Sequence, residues 1–438
     1  MNIEIITIIL FSLLFVALFL GIPVAFAMGG LGVLFMLLLT GPKFLTNIST
    51  TAFSSWTSEV LLAIPLFLLM ANFLQYSGIG EDLYGTMYKW LGSVPGGLAI
   101  GTVIICAIFG AISGISAVAT ITMGLVALPS MLEKGYDKII AIGCISAGGT
   151  LAILIPPSII MVLYASFTDE SVGKLFIGGI IPGIILTMLF SIYILVMAYL
   201  KPESCPPVPK DQRSTWREKL VSLKAILFPI LLIFLVLGVI YIGICTPTEA
   251  AGIGALGSFL CVLVKKKISW PIMNKACGGA LRVTCMILWI VLGAKLFTNI
   301  YHALGAPEFI LEVIQSISLN RLAVIILMMG ILFVLGCFID PLGIMMITLP
   351  VFQPLLGRLD VNLLWFGILF TVNMELSYIT PPFGFNLFYM KSVVPSGITM
   401  GDIYRSIIPY VFIEIIMIGI LIAQPELVLW LPGLMMGR

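Results

Sequence analysis

The chain has 438 residues, of which 61% are hydrophobic and 10% are charged, and its mean hydropathy is +1.19. Soluble globular chains carry about 25% charged residues, so this composition is that of a membrane protein. The 22 basic and 20 acidic residues leave a net charge of +2, which excludes the strongly basic surface of a nucleic-acid-binding protein. A single histidine and isolated cysteines disfavour zinc sites, haem sites and disulfide frameworks.

Apolar runs long enough to cross a bilayer recur along the chain. A transmembrane helix needs about 20 predominantly apolar residues. The predicted spans are residues 5–20, 23–39, 60–76, 175–200, 225–245, 249–264, 280–301 and 404–430. The first two form an apolar segment too long for the core of a signal peptide, with Glu4 in place of a basic start. Both are therefore predicted to be permanent spans.

Two further apolar segments are interrupted near their middle by small or polar residues. The interruption at 110–116 divides residues 94–133, and the interruption at 336–343 divides residues 321–357. Each half is short for a full span. Such halves are typical of a re-entrant helical hairpin, whose tip ends at mid-membrane against protein or a water-filled cavity.

Paired prolines interrupt two other segments. One pair, at 156–157, lies in residues 137–167, and the other, at 381–382, lies in residues 361–395. Proline lacks a backbone donor and clashes with the preceding turn, so each helix is predicted to unwind there and to free carbonyl oxygens. The sequence therefore predicts two broken transmembrane helices.

Basic loops indicate the orientation, since short cytoplasmic loops carry the Lys/Arg excess. Six basic residues lie in 201–224 and four lie in 265–275, with two predicted spans between them, as a passage from inside to inside requires. Counting from these loops, the first hairpin enters from the cytoplasm and the second from the opposite face. Both chain termini are then predicted to be periplasmic.

The two halves of the chain follow a similar plan. Residues 201–224 form a linker between residues 1–200 and residues 225–438, and the paired prolines of the two halves are 225 positions apart. We predict an all-α polytopic membrane protein built as an inverted-topology repeat. Each half contributes three spans, a re-entrant hairpin, a broken transmembrane helix and a closing span.

The four interruptions supply oxygen atoms suited to Na⁺. In transporters with inverted repeats, half-helix N-termini attract anions and unwound carbonyls bind cations at mid-membrane. The polar candidates are Ser113, Ser116, Thr120 and Thr150 in the first half and Asp340, Asn373, Ser377 and Thr380 in the second. An ionised carboxylate at mid-membrane costs about 2.5–3.5 kcal/mol on insertion scales without a partner, so Asp340 stands out.

These candidates also have plain structural interpretations. Glycines such as Gly148 and Gly149 are commonly helix-contact residues, and serine or threonine in a membrane helix often bonds its own backbone. Asp340 can cap the second arm of its hairpin, with Pro341 at the first helical position, and this role is compatible with ion binding.

Three other polar residues have local or open roles. Glu375 is either a ligand or the partner of a scaffold arginine. Glu249, in the motif Thr-Pro-Thr-Glu, is either a site residue or part of a capping box at the start of a span. His302 is expected to lie solvated in a loop.

Several of these motifs resemble those of one known family. Residues 110–158 contain Ile-Ser-Gly-Ile-Ser-Ala-Val-Ala-Thr and Gly-Cys-Ile-Ser-Ala-Gly-Gly-Thr-Leu-Ala-Ile-Leu-Ile-Pro-Pro-Ser. This stretch is similar to the large membrane (M, DctM-like) subunit of tripartite ATP-independent periplasmic (TRAP) transporters. The motifs Thr-Pro-Thr-Glu-Ala-Ala at 246–251 and Ile-Thr-Pro-Pro-Phe-Gly at 379–384 resemble the second half of that family. The likeness covers essentially the whole chain.

The resemblance implies a transporter of the ion transporter superfamily, located in the bacterial inner membrane, and not an enzyme. It implies Na⁺-driven uptake of an organic-acid anion, such as a C4-dicarboxylate or sialic acid, by an elevator mechanism. It also implies two protein partners, a small four-helix membrane subunit (Q) and a periplasmic substrate-binding protein (P). The chain begins directly with the first span of the large subunit, so Q is expected to be a separate chain.

The resemblance further implies two or more Na⁺ sites, one at each contact between a hairpin tip and a break. The Na⁺ ligands carried over by motif are Ser113, Ser116, Gly148 and Thr150 for the first site and Asp340, Asn373, Met374 and Thr380 for the second. The implied substrate-binding residues are Ser116, Thr120, Gly149, Pro156, Gly343, Ser377 and Pro381. Many members have Ser-Gly-Ser-Ser at the first tip, whereas Ile115 here removes one hydroxyl.

Three other functions remain as alternatives. A stand-alone Na⁺/dicarboxylate-type symporter of the same superfamily would work without a binding protein. A membrane-embedded enzyme is disfavoured because the chain has one histidine and no cluster of carboxylates. A channel is disfavoured because two closed-ended hairpins at opposite faces suit alternating access better than a continuous pore.

Overall fold

Helices make up the regular secondary structure of this protein. The computed structural model describes residues 3–309 and 320–435, and no strand occurs among them. The helices of the first half are α1 (Ile3–Phe19), α2 (Val24–Thr40), α3 (Thr46–Trp56), α4 (Glu59–Tyr76), α5 (Ile79–Leu91), α6 (Gly97–Ser113), α7 (Ser116–Glu133), α8 (Lys138–Leu154), α9 (Ile159–Thr168) and α10 (Val172–Leu200).

The second half is helical as well. Its described helices are α11 (Trp216–Tyr241), α12 (Pro247–Val264), α13 (Trp270–Ala303), α14 (Arg321–Gly336), α15 (Pro341–Arg358), α16 (Leu363–Tyr378), α17 (Phe385–Val393), α18 (Met400–Ala423) and α19 (Glu426–Met435). Within the described ranges, eight helical segments are long and apolar enough to cross a membrane. The polytopic, all-helical prediction is thereby confirmed.

The two interrupted segments form helix pairs with short connections. Gly114 and Ile115 join α6 to α7, and Gly114 adopts a left-handed conformation with φ of 60° that glycine tolerates best. Residues 337–340 join α14 to α15. The Asp340 Oδ1 atom accepts hydrogen bonds from the backbone N–H groups of Leu342 and Gly343, at 3.0 and 3.1 Å, and so caps α15.

The paired prolines coincide with the two helix breaks. Residues 155–158 separate α8 from α9, and Ser158 begins α9 by accepting a hydrogen bond from the Met161 N–H at 3.4 Å. Residues 379–384 separate α16 from α17, where Gly384 adopts a left-handed conformation. The local sequence therefore places both breaks correctly.

Three boundaries differ from the sequence prediction. The single span predicted over 404–430 is wrong, because α18 ends at Ala423 and α19 begins at Glu426, with Pro425 unable to continue the helical hydrogen bonding. Helix α13 has 34 residues and begins ten positions earlier than the predicted span. Helix α11 begins at Trp216, inside the predicted linker, because Thr215 and Glu218 form a capping box there.

Helices of the two halves pack against one another. Helix α12 packs on α4, α13 packs on α2 and α4, and α16 and α18 both pack on α8. Small residues allow the closest approach, since a Cβ atom on Gly29 of α2 would lie 3.3 Å from the Gly293 Cα atom of α13. The resulting core places the first tip and both breaks side by side.

Candidate functional site

The first hairpin tip lies directly on the first helix break. A Cβ atom on Gly114 would overlap the carbonyl oxygen of Pro157, and one on Gly110 would lie 2.6 Å from the Ala152 Cα atom. Both contacts leave room only for hydrogen, so glycine lets the backbone of the tip reach the break. Ser113 is buried beside this contact, and its hydroxyl oxygen accepts the Ile115 N–H at 3.4 Å.

A buried hydrogen-bond network joins this tip to the second break. Ser116 and Thr120 of α7 donate from their hydroxyl groups to the Asn386 Oδ1 atom, at 2.8 and 2.7 Å. The Asn386 Nδ2 atom, at the start of α17, donates to the Ser146 carbonyl of α8 at 2.5 Å. All four residues are buried, so Asn386 links three helices from both halves.

The predicted glycines of α8 face two different neighbours. A Cβ atom on Gly149 would overlap the Thr120 hydroxyl and would lie 3.0 Å from Asn386 Nδ2, so Gly149 belongs to the Asn386 network. A Cβ atom on Gly148 would lie 3.1 Å from the Cys106 Cβ atom of α6, which is a helix contact.

Thr150 points away from the Asn386 network. Its hydroxyl donates to the Ala147 carbonyl at 2.7 Å and lies 3.4 Å from the Glu414 Oε1 atom of α18. The structure therefore brings together Ser116, Thr120 and Gly149, whereas it directs the Thr150 side chain towards α18. Pro156 is buried at the first break itself.

The second hairpin contacts α16, just before the second break, and the beginning of α2. A Cβ atom on Gly336 would overlap the Ser377 side chain, which places the end of α14 on α16. A Cβ atom on Gly343 would lie 3.1 Å from the Val24 Cγ2 atom. Asp340 lines a cavity of about 440 Å³ between this tip and the α1–α2 connection, together with Phe338 and residues of α13.

The polar side chains of the second break mostly bond locally, as one interpretation of the sequence expects. Ser377 donates to the Asn373 carbonyl at 2.8 Å, and Thr380 donates to the Leu376 carbonyl at 2.6 Å. Asn373 differs, because its Nδ2 atom donates to the Met329 carbonyl of α14 at 3.0 Å while its buried Oδ1 atom has no donor. An unpaired buried acceptor of this kind is suited to a cation.

The remaining residues of the second predicted group are distributed around this break. Met374 is fully buried in α16, and Pro381 is half-buried at the break. Among the described residues, no hydrogen bond joins Asp340 to Asn373 or Thr380.

Two acidic residues with open roles are placed clearly by the structure. Glu249 completes a capping box with Thr246, since each side chain bonds the backbone of the other. Glu375 is fully buried, and neither of its carboxyl oxygens has a hydrogen-bond partner, so no arginine among the described residues reaches it.

Asn386 and Glu414 are the site residues that sequence reasoning missed. Glu414 left a visible signal, because it is a lone carboxyl group in the middle of the apolar helix α18. Asn386 follows the second break by a few positions, and only its contacts with α7 and α8 distinguish it.

Comparisons with known proteins agree with this architecture. The family described as "Tripartite ATP-independent periplasmic transporter, DctM component" matches residues 11–427. The C4-dicarboxylate TRAP transporter large permease protein DctM of Pseudomonas aeruginosa is 34% identical over 405 residues, which cover 92% of this chain and 93% of that protein. The protein of the same name from Vibrio cholerae is 32% identical and is matched over 98% of both chains.

A solved structure shows the same fold. The YdaH transporter of Alcanivorax borkumensis superimposes with a TM-score of 0.61 over 90% of each chain, at 15% sequence identity. At this identity the likeness concerns the fold alone. The family match, by contrast, spans nearly the whole chain, including both hairpins and both breaks. The chain therefore belongs to the DctM family, the large permease component of TRAP transporters.

Proposed function

We propose that this permease carries out Na⁺-coupled uptake of an organic-acid anion delivered by a soluble binding protein. Similarity to C4-dicarboxylate permeases at 32% and 34% identity supports a small carboxylate, such as a C4-dicarboxylate or sialic acid, as the solute. The observation that carries Na⁺ coupling is the position of polar oxygens at the hairpin tips and beside the helix breaks. Hydroxyl and amide oxygens are buried there, and the part-buried Asp340 carboxylate lies at the second tip.

Two Na⁺ sites are proposed, one at each tip. Oxygen-rich ligand sets suit a hard monovalent cation. The proposed ligands are Ser113, Ser116, Gly148 and Thr150 at the first tip and Asp340, Asn373, Met374 and Thr380 at the second. The donor set of the second site fits a cation, because the Asn373 Oδ1 atom lacks a donor and both backbone bonds to Asp340 use Oδ1, which leaves Oδ2 for an ion.

The coupling between ion and solute is electrostatic. A Na⁺ ion at each tip attracts the solute carboxylate far more strongly in the low dielectric of the protein than in water. The proposed substrate contacts are Ser116, Thr120, Gly149, Pro156, Gly343, Ser377 and Pro381. Because Ser116 belongs to both the ion set and the Asn386 network, ion binding at the first tip also fixes α17.

The transport step is proposed to be an elevator motion of an inverted repeat. Corresponding helices of the two halves begin at equal spacing, since α7 and α15 start at Ser116 and Pro341 and α8 and α16 start at Lys138 and Leu363, 225 positions apart in each case. Inverted repeats of this kind provide alternating access around a central site. The hairpins and broken helices then move against a scaffold that includes α2, α4, α12 and α13.

The permease is proposed to work in the bacterial inner membrane with two partners, a small four-helix membrane subunit (Q) and a periplasmic substrate-binding protein (P). The tripartite character of the matched family supports both. The distribution of basic loops supports periplasmic termini. Omitting the binding protein from a vesicle assay separates this proposal from a stand-alone symporter, because only the stand-alone carrier would still transport.

The test of Na⁺ coupling is the Asp340→Ala variant of the reconstituted complex. Sodium-dependent uptake is expected to be lost because the second tip loses its only carboxylate and the cap of α15. The matched control is Asp211→Ala in the exposed linker, which is expected to transport normally. Thermal unfolding in detergent checks that the variant is folded. Undiminished uptake by folded Asp340→Ala at saturating Na⁺ would remove Asp340 from the site.

A further inference from the structure

Two acidic side chains lie fully buried where three helices of the membrane domain meet. Glu375 of α16 and Glu414 of α18 are both 0% exposed, and both helices pack on α8. Thr150 of α8 lies at the same place, with its hydroxyl 3.4 Å from the Glu414 Oε1 atom. Thr150 and Glu375 stand 225 positions apart, which is the spacing of the two broken helices on which they lie.

The carboxyl oxygens of this group are largely unpaired. Neither oxygen of Glu375 has a hydrogen-bond partner, and the Glu414 Oε2 atom also has none. The Thr150 hydroxyl donates at the shorter distance of 2.7 Å to the Ala147 carbonyl, so it offers Glu414 mainly an oxygen atom. Buried acceptors without donors are rare in folded proteins and call for a physical explanation.

The two carboxyl groups influence each other without bonding directly. Glu414 acts electrostatically on Glu375, yet no hydrogen bond joins them, and no basic side chain of the described residues interacts with either. A proton shared between two carboxyl groups would require a short hydrogen bond between their oxygens. An ion with oxygen ligands from both carboxyl groups would instead account for the oxygens that lack hydrogen-bond partners.

We propose that Glu375, Glu414 and Thr150 bind a third Na⁺ ion, separate from the two tip sites. The ion attracts both carboxylates and offsets the cost of burying their charges in apolar surroundings. Three ligand side chains in a closed site suit Na⁺ better than Ca²⁺, which takes 6–8 oxygen ligands, or Mg²⁺, which retains several waters. The Thr150 side chain then serves this site, in keeping with its direction towards Glu414, and the part of Thr150 at the first tip is left to its backbone carbonyl.

This buried site has a structural consequence for transport. Thr150 and Glu375 belong to the two different broken helices, and Glu414 belongs to the closing span of the second half. An ion among them joins these three helices, so its loss is expected to loosen the contact between the two halves.

The experiment is equilibrium binding of radioactive Na⁺ to the purified full chain. Glu375→Gln and Glu414→Gln remove one carboxylate each while keeping the side-chain volume, and each is expected to lose one bound Na⁺ per chain. The matched control is Glu426→Gln, at an exposed position of α19, which is expected to keep the wild-type number. An unchanged number in both buried-site variants would overturn the proposal.

Two further measurements keep the result interpretable. Thr150→Val removes only the hydroxyl and is expected to weaken one Na⁺ site, so it tests the proposal even if a glutamine variant fails to fold. Saturation of the wild-type site by Ca²⁺ with no Na⁺ bound there would overturn the assignment to Na⁺. Asp340→Asn reports separately on the second tip. If it loses one bound Na⁺ while the glutamine variants keep the wild-type number, the tip site stands and the buried site fails. If the glutamine variants lose one bound Na⁺ while Asp340→Asn keeps the wild-type number, the buried site stands and the tip site fails.

Discussion

Asn386 shows how a single side chain connects elements that are far apart in the chain. Its amide oxygen accepts from two hydroxyl groups of α7, and its amide nitrogen donates to α8. The residue lies at the start of α17, directly after the second break, so it ties the first tip and first broken helix to the second. No water is needed to satisfy these buried groups.

The Asn386→Ala variant is expected to lower both stability and uptake. It leaves two buried hydroxyl groups without their shared acceptor and removes one of the hydrogen bonds to the Ser146 carbonyl, and each unsatisfied group costs about 1–3 kcal/mol. Thermal unfolding in detergent and Na⁺-dependent uptake of the reconstituted complex measure the two effects. Asn47→Ala, at an exposed position of α3, serves as the control and is expected to change neither. A wild-type melting temperature for Asn386→Ala would contradict the prediction that the Asn386 hydrogen bonds stabilise the fold.

At the scale of elements, the hairpins and breaks follow from local chemistry. Gly114 permits the tight connection of α6 to α7, Asp340 caps α15, and paired prolines end α8 and α16. Each of these effects depends on the residue and its immediate neighbours, so the sequence predicted them. Pro425 acts in the same local way, but the apolar residues on both sides of it concealed the boundary between α18 and α19.

The Gly114→Ala variant tests whether the first tip must touch the first break. A left-handed backbone costs an alanine about 1–2 kcal/mol, and at Gly114 the new Cβ atom would also overlap the Pro157 carbonyl. We expect uptake to be abolished.

Gly135→Ala is the matched control for this variant. Gly135 also has a left-handed backbone, with φ of 80°, but its Cβ atom would have ordinary space, 3.8 Å from the nearest side chain. This control is expected to be destabilised only by its left-handed backbone, and it is expected to keep its uptake. Equal uptake by both variants would show that the contact of tip and break is dispensable.

At the scale of the whole molecule, the two halves are held together by close helix crossings. Helices α2 and α13 approach at Gly29, Gly32 and Gly293, where their backbones touch. An ion pair between Lys138 of α8 and Asp402 of α18, at 2.8 Å, also joins elements of different halves, at the end of α8 opposite the first tip. Such partly exposed pairs contribute about 1 kcal/mol or less, so the apolar crossings dominate.

The Gly293→Ala variant is expected to destabilise the fold. Its Cβ atom would overlap the Ala25 carbonyl, so α2 and α13 must move apart. Gly278→Ala, on the same helix with open space around it, is the matched control and is expected to stabilise α13 slightly, by about 0.5–1 kcal/mol. Thermal unfolding of both variants measures the difference in stability. A lower melting temperature for Gly278→Ala than for Gly293→Ala would contradict the close packing of α2 against α13 at Gly293.

The sequence by itself determined the membrane class, most helices, both hairpins, both breaks and the caps at Asp340 and Glu249. Those features arise from composition, from the length of apolar runs and from hydrogen bonds between residues close in the chain. Only the tertiary structure decided which polar groups meet. Ser116 bonds Asn386 across 270 positions, and Thr150 reaches Glu414 across 264. Such partners are chosen by the packing of helices from both halves, and no local pattern records them.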